Sequence, residues 1–575
     1  MTFPLTVAAD LTLRGSSLPA APLESYRPDK VEPQGSFREV PPQQCGITFV
    51  HTNGHSDRRY LPETVGAGVA IFDYNNDGLM DIFLVNSGDT TFFHPQTRLR
   101  QALYRNNGDG TFTDVTEPAG ITANLFGMGV ATGDYDGDGY PDIFITGYEK
   151  SILYHNNRDG TFTDVTAASG IQPLKWASSA VWFDYNNDGK LDLFVCQFVD
   201  YSEKRICGIA DSYGGNIGRI SDSQTYYCIP RIFAPMPSHL YRNDGSGLFT
   251  DVSQETGILN HPGKGWGVVA TDINNDGNMD LFQSNDTMAN FLFANRGGRK
   301  FDEIGLESGV AYSADGLPRS GMGVDAADID GDGWQDLFVA NIDRETFAVY
   351  HNNGNETFDD VSQGAGIAEP TRLLSGWGLR FFDYDNDGLP DLILSNGHPD
   401  DLIDQRMHGV TYREPLLLFH NEGEGRMVNV SASSGEPFSR KYAARGLAVG
   451  DLNNDGYPDV VFLENGGPAH VLINDAASKN HWIGLKLVAI TANPDATGAV
   501  IRWSVNSKVL SRFKRAGGSY LSTHDPRELL GMGKSTAVDW VEIVWPRPSQ
   551  RVDRLTSLPV DRYHTVVEGK GVISR

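Results

Sequence analysis

Seven times the chain sets oxygen-bearing side chains at alternate positions ahead of a glycine, in the pattern Asp-x-(Asp/Asn)-x-Asp-Gly-x-x-Asp. The first copy offers Asp73, Asn75, Asp77, the carbonyl of Leu79, and Asp81. The second offers Asp134, Asp136, Asp138, Tyr140 and Asp142, and the third Asp184, Asn186, Asp188, Lys190 and Asp192. The fourth and fifth are Asp272, Asn274, Asp276, Asn278, Asp280 and Asp328, Asp330, Asp332, Trp334, Asp336. The sixth and seventh are Asp383, Asp385, Asp387, Leu389, Asp391 and Asp451, Asn453, Asp455, Tyr457, Asp459. Side chains at positions 1, 3 and 5 converge on one point. Glycine at position 6 permits a sharp turn, position 7 offers its carbonyl, and position 9 adds a last carboxylate. Hard oxygen donors in a flexible loop suit Ca²⁺. One such run is equally well a solvated turn. Seven at matching places predict up to seven Ca²⁺ loops.

The elements that position these loops are strands. An EF-hand needs Glu at position 12 and flanking helices. Here that position is apolar in most copies, as at Leu84, Ile145 and Val195. The segments that follow, such as Ile82-Phe-Leu-Val and Ile143-Phe-Ile-Thr, are short, β-branched and aromatic. Charge follows from the loops as well. Their side-chain carboxylates number 24 of the 74 acidic residues, so seven Ca²⁺ would cut the formal net charge from −27 to −13. The acidic balance argues against nucleic-acid and anionic-membrane partners.

First Asp residues are separated by 61, 50, 88, 56, 55 and 68 positions. A hairpin pattern follows each of the first six loops, as in Leu103-Tyr-Arg-Asn106 with Phe112-Thr-Asp-Val115, and a Gly-rich strand precedes the loops, as in Gly66-Ala-Gly-Val-Ala-Ile-Phe72. Four strands per repeat of about 50 residues predict a β-propeller blade. The seventh repeat lacks the final Phe-x-Asp-Val strand, and Phe37-Arg-Glu-Val40 stands at the front of the chain to supply it. The expected organisation is an N-terminal extension over 1–35, lying loosely on the surface, then a propeller over 36–476 in which 36–48 closes the last blade. A small β-sandwich over 477–575 follows, with alternating segments such as Ala499-Val-Ile-Arg-Trp-Ser-Val505.

No run of 18 apolar residues predicts a membrane span. Met1 to Leu11 lacks the pattern of a signal peptide, so the expected location is cytoplasmic if the sequence is complete, and secreted or periplasmic if a leader has been removed. Cys207 and Cys228 share one insertion and could pair, while Cys45 and Cys196 read as buried strand residues.

The Asp loops and their strands resemble the FG-GAP/VCBS repeats of integrin-α-type propellers. The run Gly517-Gly-Ser-Tyr-Leu-Ser522, Asp525-Pro-Arg527, Leu530-Gly-Met-Gly533 and Val541-Glu-Ile-Val-Trp-Pro546 is similar to an ASPIC/UnbV domain. In this order the pair resembles the cartilage acidic protein (CRTAC) family. The resemblance implies an all-β fold: a seven-bladed integrin-α-like propeller with calcium loops plus a small C-terminal β-sandwich. It implies Ca²⁺ binding, and family members occur in bacterial natural-product loci.

Function must then be read from the other face of the ring, which carries the long connections 51–63, 86–101, 198–238, 286–290, 343–346 and 398–414. No nucleophile elbow, P-loop or dinucleotide fingerprint is present, so the first expectation is a Ca²⁺-stabilised module binding a small molecule or protein on that face. The alternative is a cofactor-independent cyclase or isomerase. Its candidate groups are His51, His55, Arg58, Tyr60, Glu63, Asp286, Arg344, Glu345 and His398, joined by Arg59, Asp400 and Asp401, with Trp176, Trp266 and Trp377 as an apolar wall. Structural readings compete. Trp266 and Trp377 occupy equivalent Gly-Trp-Gly positions that suit blade packing, His51 and His55 lack a third zinc ligand, and Asp400-Asp401 suits a solvated loop. Deleting residues 1–48 is expected to destabilise the last blade. A truncated protein with the full-length melting curve would refute the ring-closure reading.

Overall fold

Apolar runs such as Ile82-Phe-Leu-Val85 are too short for helices and have no polar face, so they suit strands covered on both sides. A computed structural model describes residues 36–208, 225–475 and 477–573. The extension over 1–35 and residues 209–224 of the cysteine-bearing insertion lie outside the described residues. Among the described residues up to Asn474, seven antiparallel sheets are built on a four-strand unit. The first comprises Val69–Phe72, Asp81–Leu84, Ala102–Asn106 and Phe112–Asp114. The first strand of each sheet packs on the first strand of the next, and the seventh returns to the first, which makes a ring. The seventh sheet, Ala444–Gly450, Asp459–Glu464 and Ala469–Asn474, has Phe37–Glu39 as its outer strand, with Phe37 opposite Asn474. Phe37 is 1 % exposed and packs on Phe438 and Tyr384. Cys45 departs from the strand expectation. It ends a helical turn, Pro42–Cys45, that proline opens, and it is buried against the first blade.

Blades are clipped together by one repeated asparagine. Asn106, at the end of the third strand, donates from Nδ2 to Met80 O of its own blade and to Leu452 O of the seventh. Asn156 reaches Tyr74 O, Asn243 reaches Tyr135 O, and Asn295 reaches Tyr185 O. Asn352 reaches Ile273 O, Asn421 reaches Ile329 O, and Asn474 reaches Tyr384 O. Each bond joins a blade to the one before it, all the way round. These buried carbonyls would otherwise lack partners, and an unmet buried group costs about 1–3 kcal/mol.

The C-terminal part folds as two four-stranded sheets around Trp503 and Trp545. One holds Trp482–Val488 and Tyr563–Val567 as a parallel pair, and the other holds Val500–Val505 beside Trp540–Val544. The boundary expected near residue 477 does not divide the packing, because residues 516–525 leave the sandwich and run through the centre of the ring. Ala516–Gly517 pairs with Val269 and Ala270 as a fifth strand of the fourth blade. Thr523 N donates to Val69 O, Val130 N to Leu521 O, and Leu521 N to Ser179 Oγ. Gly518 N donates to Val268 O, Ser519 N to Val324 O, and Leu379 N to Ser519 Oγ. Ser519 Oγ donates to Leu447 O. The inner strand of every blade is thus bonded to this one segment. Arg515 anchors its entry with two bonds of 2.6 and 2.7 Å to the fully buried Asp325.

This close approach explains the glycines of the inner strands. A Cβ on Gly68 would lie 1.6 Å from Leu521 O of that segment, and where inner strands crowd one another a Cβ on Gly323 would lie 1.9 Å from Trp377 O of the next blade. Gly68→Ala is therefore expected to cost about 3 kcal/mol or more, the upper range of core overpacking, read as a lower urea midpoint. An unchanged midpoint would contradict the central segment as placed.

Candidate functional site

Two faces of the ring carry charged groups, and they differ in construction. On one face the seven Asp loops share a single backbone arrangement. In the first, Asp73 accepts the amides of Asp77 and Gly78 at 3.1 and 3.0 Å, and Asp81 accepts those of Tyr74 and Asn106 at 3.1 and 2.8 Å. The same bonds recur in the sixth loop at Asp383 and Asp391, and in the seventh at Asp451 and Asp459. Positions 1 and 9 are therefore oriented by the backbone before any ligand arrives. Burial pushes Asp81 and Asp134 up to about 8, Asp142 and Asp184 up to about 7, and Asp459 well above the carboxylate range. In the sixth loop burial and the neighbouring carboxylates raise Asp385 to about 8. Its Oδ2 is buried and has no hydrogen-bond partner among the described residues.

A feature not read from the sequence accompanies the loops that carry Asp at position 3. In the second, fifth and sixth blades a histidine stands beside that carboxylate and the one at position 9. His155 Nδ1 lies 3.4 Å from Asp136 and 3.3 Å from Asp142. His351 lies 3.4 Å from Asp330 and 3.2 Å from Asp336. His420 lies 3.9 Å from Asp385 and 3.1 Å from Asp391. Blades with Asn at position 3 have Arg105, Arg242, Ala294 or Ile473 in that place. The signal was present in the hairpin motif as Tyr-His-Asn or Phe-His-Asn, but it means nothing until the two strands are set side by side.

The sandwich sits on this loop face. Tyr563 Oη donates to Asp451 Oδ2 at 2.8 Å, Lys486 Nζ lies 3.8 Å from Asp73 Oδ2, and Ser478 and Asn480 both donate to Asp385 O.

The opposite face holds a cavity of about 380 Å³ at the mouth of the blocked channel. Its floor is Trp266, Trp377, Met322 and Val65, and Tyr520 of the central segment packs beneath, 5.5 Å from the Trp266 ring and 4.9 Å from the Trp377 ring. Tyr520 Oη donates to Val65 O at 3.1 Å. One wall is Tyr226, Tyr227 and Cys228, whose disulfide to Cys207 ties the two arms of the insertion together. Arg406 lies 3.9 Å above the Tyr226 ring, and Arg59, paired to Asp401 at 2.6 Å, lies 5.3 Å above the Tyr227 ring.

The cavity gathers four of the nine candidate catalytic residues: Asp286, Arg344, Glu345 and His398. Asp286 and Glu345 form a carboxyl pair about Ser320, whose N–H and hydroxyl both donate to Glu345 at 2.6 and 3.3 Å. Burial pushes Asp286 up to about 6 even with Ser320 bonded to it and Lys264 nearby, and burial with the Asp286 charge pushes Glu345 up to about 7. Thr287 and Arg344 adopt φ of +58° and +68°. A β-branched residue there is strained, and such strain gathers at functional sites.

The remaining candidates are placed elsewhere. His51 is buried, its Nδ1 accepts the Gly466 amide at 3.1 Å, and burial with the Arg445 charge pushes it down to about 3. Glu63 is 0 % exposed and is closed by Ser56, at 2.6 Å to the hydroxyl. His55 lies 3.7 Å from Glu63 and half out in solvent, Arg58 is exposed, and the Tyr60 ring packs at a tilt on Phe92. These five support the cavity wall rather than line it. His398 is also held at both nitrogens. It accepts the Asp400 amide at Nδ1 and sets Nε2 3.2 Å from Asp343, which leaves no nitrogen for proton transfer. Trp176 packs on Phe198 and Trp266 behind the floor.

Repeats of this form, ringed and carrying the Asp loops, define an FG-GAP-like β-propeller. The FG-GAP-like repeat family matches residues 73–145, 134–195, 232–283, 328–394 and 408–462, and the ASPIC and UnbV family matches 490–573. The chain belongs to the cartilage acidic protein-like family, an FG-GAP-like propeller joined to an ASPIC and UnbV domain. It is 28 % identical to cartilage acidic protein 1 of Xenopus tropicalis over 307 residues, 52 % of this chain and 44 % of that protein. The human protein of that name is 28 % identical over 307 residues, 52 % of this chain and 43 % of its own length. The match thus spans less than half of those relatives. Among solved structures, Sqt1 of Saccharomyces cerevisiae aligns at 10 % identity over 74 % of this chain and 98 % of that one, with a TM-score of 0.38. The BP39L lectin of Burkholderia pseudomallei aligns at 12 % identity over 71 % and 96 %, with a TM-score of 0.41. Likenesses this distant carry no argument.

The Asp286–Glu345 pair has a measurable signature. Both groups bind a proton more tightly folded than unfolded, so the stability they carry is present below about pH 4 and is lost as pH rises through about 6 and 7. Asp286→Asn with Glu345→Gln is expected to stabilise the protein by roughly 1–2 kcal/mol at pH 8 and by clearly less at pH 5, by urea denaturation. An equal gain at both values would refute the assignment.

Proposed function

We propose that the chain is a Ca²⁺-stabilised binding module whose ligand enters the cavity on the long-loop face. The observation that carries this is the cavity itself. It has an apolar floor closed from below by Tyr520, walls drawn from separate connections, and on one side a carboxyl pair, Asp286 buried and Glu345 part-buried. Concave, mostly apolar sites with few polar groups are where small ligands bind.

Ca²⁺ belongs to the other face. The carboxylates at loop positions 1, 3, 5 and 9 would hold it, with the carbonyl at position 7. Their donor chemistry fits: the loop side chains offer hard oxygens, those at positions 1 and 9 preset by backbone amides, and one buried oxygen, Asp385 Oδ2, makes no hydrogen bond among the described residues, while in three blades a histidine nitrogen stands beside the carboxylates at positions 3 and 9. A divalent ion offsets the repulsion that raises these carboxyl groups, so it acts through stability.

A second reading, an acid–base enzyme without redox cofactor, is favoured by the Asp286–Glu345 pair alone. One member protonated and one ionised would serve as acid and base.

Two measurements test the proposal. EGTA is expected to lower the melting temperature by about 10 °C or more, with recovery on adding Ca²⁺; an unchanged melt removes the metal role. Small molecules found by saturation-transfer NMR are expected to lose binding in Met407→Trp, which fills the cavity lip. Hits indifferent to that change would place the ligand elsewhere.

A further inference from the structure

We infer that the cavity selects an organic cation: a primary or secondary amine on an apolar, ring-sized body. The inference rests on the cavity being the ligand site and adds the class of ligand.

Charge is distributed unevenly in this cavity. Its arginines, Arg231 and Arg344, stand on the exposed rim. Its carboxyl groups lie inside, Asp286 at 4 %, Asp343 at 9 % and Asp400 at 5 % exposure, with Glu345 part-buried. Two of the four already have partners: Asp343 holds His398, and Asp400 accepts the Leu402 amide. Among the described residues, Asp286 and Glu345 are met by Ser320 and by the approach of Trp266, whose Nε1 is buried without a closed hydrogen bond, and Asp286 also feels the charges of Lys264 and Arg231. Lys264, a buried ammonium whose charge reaches Asp286, donates to Pro230 O at 2.9 Å and, among the described residues, makes no hydrogen bond to either carboxyl group of the pair. An ionised pair in such surroundings needs a cation that brings its own N–H donors, and charge-assisted bonds of that kind are the stronger ones.

The aromatic floor decides where that cation stands. The Arg445 guanidinium already covers one face of Trp377 at 4.1 Å, fixed by the carbonyls of Thr64, Gly397 and His398. A second cation is repelled from that ring and directed to the carboxyl wall, while the ligand body lies on Trp266, Met322 and Leu61. An anionic head group would meet the carboxyl pair directly and is excluded.

Three probes share one indole body and differ in the head: tryptamine, tryptophol and indole-3-acetate. Titrated calorimetrically into the full chain with Ca²⁺ present, tryptamine is expected to bind about tenfold or more tighter than tryptophol, the step one charge-assisted bond supplies. Indole-3-acetate is expected to bind weakest. Asp286→Asn with Glu345→Gln is expected to weaken tryptamine by about tenfold or more, its fold checked by melting. Equal affinity for tryptamine and tryptophol, or tightest binding of indole-3-acetate, overturns the cation class and leaves the cavity reading standing. Tryptamine binding that survives Met407→Trp, or no binding by any probe, overturns both.

Discussion

The inner edge of each blade is the constraint on which the structure depends. The first strand of every sheet turns a row of amides and carbonyls towards the channel, and strand edges left bare invite pairing with other chains. Here residues 517–525 meet that row in all seven blades, through Thr523, Leu521, Gly518 and Ser519. The segment is irregular because it must answer seven strands arriving from seven directions. Gly517 and Gly518, at φ of +69° and +87°, give it the turn that lets Tyr520 reach the far end. The propeller and the sandwich are one packed body for this reason.

That arrangement divides the work between the faces. The loop face is given to fixed charge: seven acidic turns, three of them with a histidine beside the extra aspartate, and a sandwich that places Tyr563, Lys486 and Arg527 against them. Nothing there can vary much without disturbing either the loops or the docking. The other face is built of connections that end the strands and answer mainly to one another. The disulfide insertion, the Arg59–Asp401 pair and the strained Thr287 and Arg344 all lie there. The carboxyl pair in the cavity can cost stability because the central segment below it supplies a rigid floor.

Much of the fold was legible because its signals are local. An Asp loop, the apolar strand after it and the glycine-rich strand before it lie within one short stretch, and repetition separates them from chance. Long-range pairings were not legible. The asparagine of Leu-Tyr-Arg-Asn106 reads as a turn residue, yet its side chain closes the ring onto Leu452. Gly517-Gly-Ser-Tyr-Leu-Ser522 is conspicuous as a motif, but nothing in its composition says that it crosses another domain. The candidate site divided on the same line. Asp286, Glu345 and His398 follow strands and so share one end of the ring. His51 and Glu63 precede the first blade, where they fasten the entering chain.

The two pieces that finish the ring come from before the first blade and after the last: Phe37–Glu39 as an outer strand and residues 517–525 as the centre. On the ribosome, each new blade therefore emerges with its inner edge unmatched and stays so until the sandwich has been made. Translation that stops short of residue 517 leaves an open circle of strand edges, the kind of species that chaperones hold and that otherwise joins its neighbours.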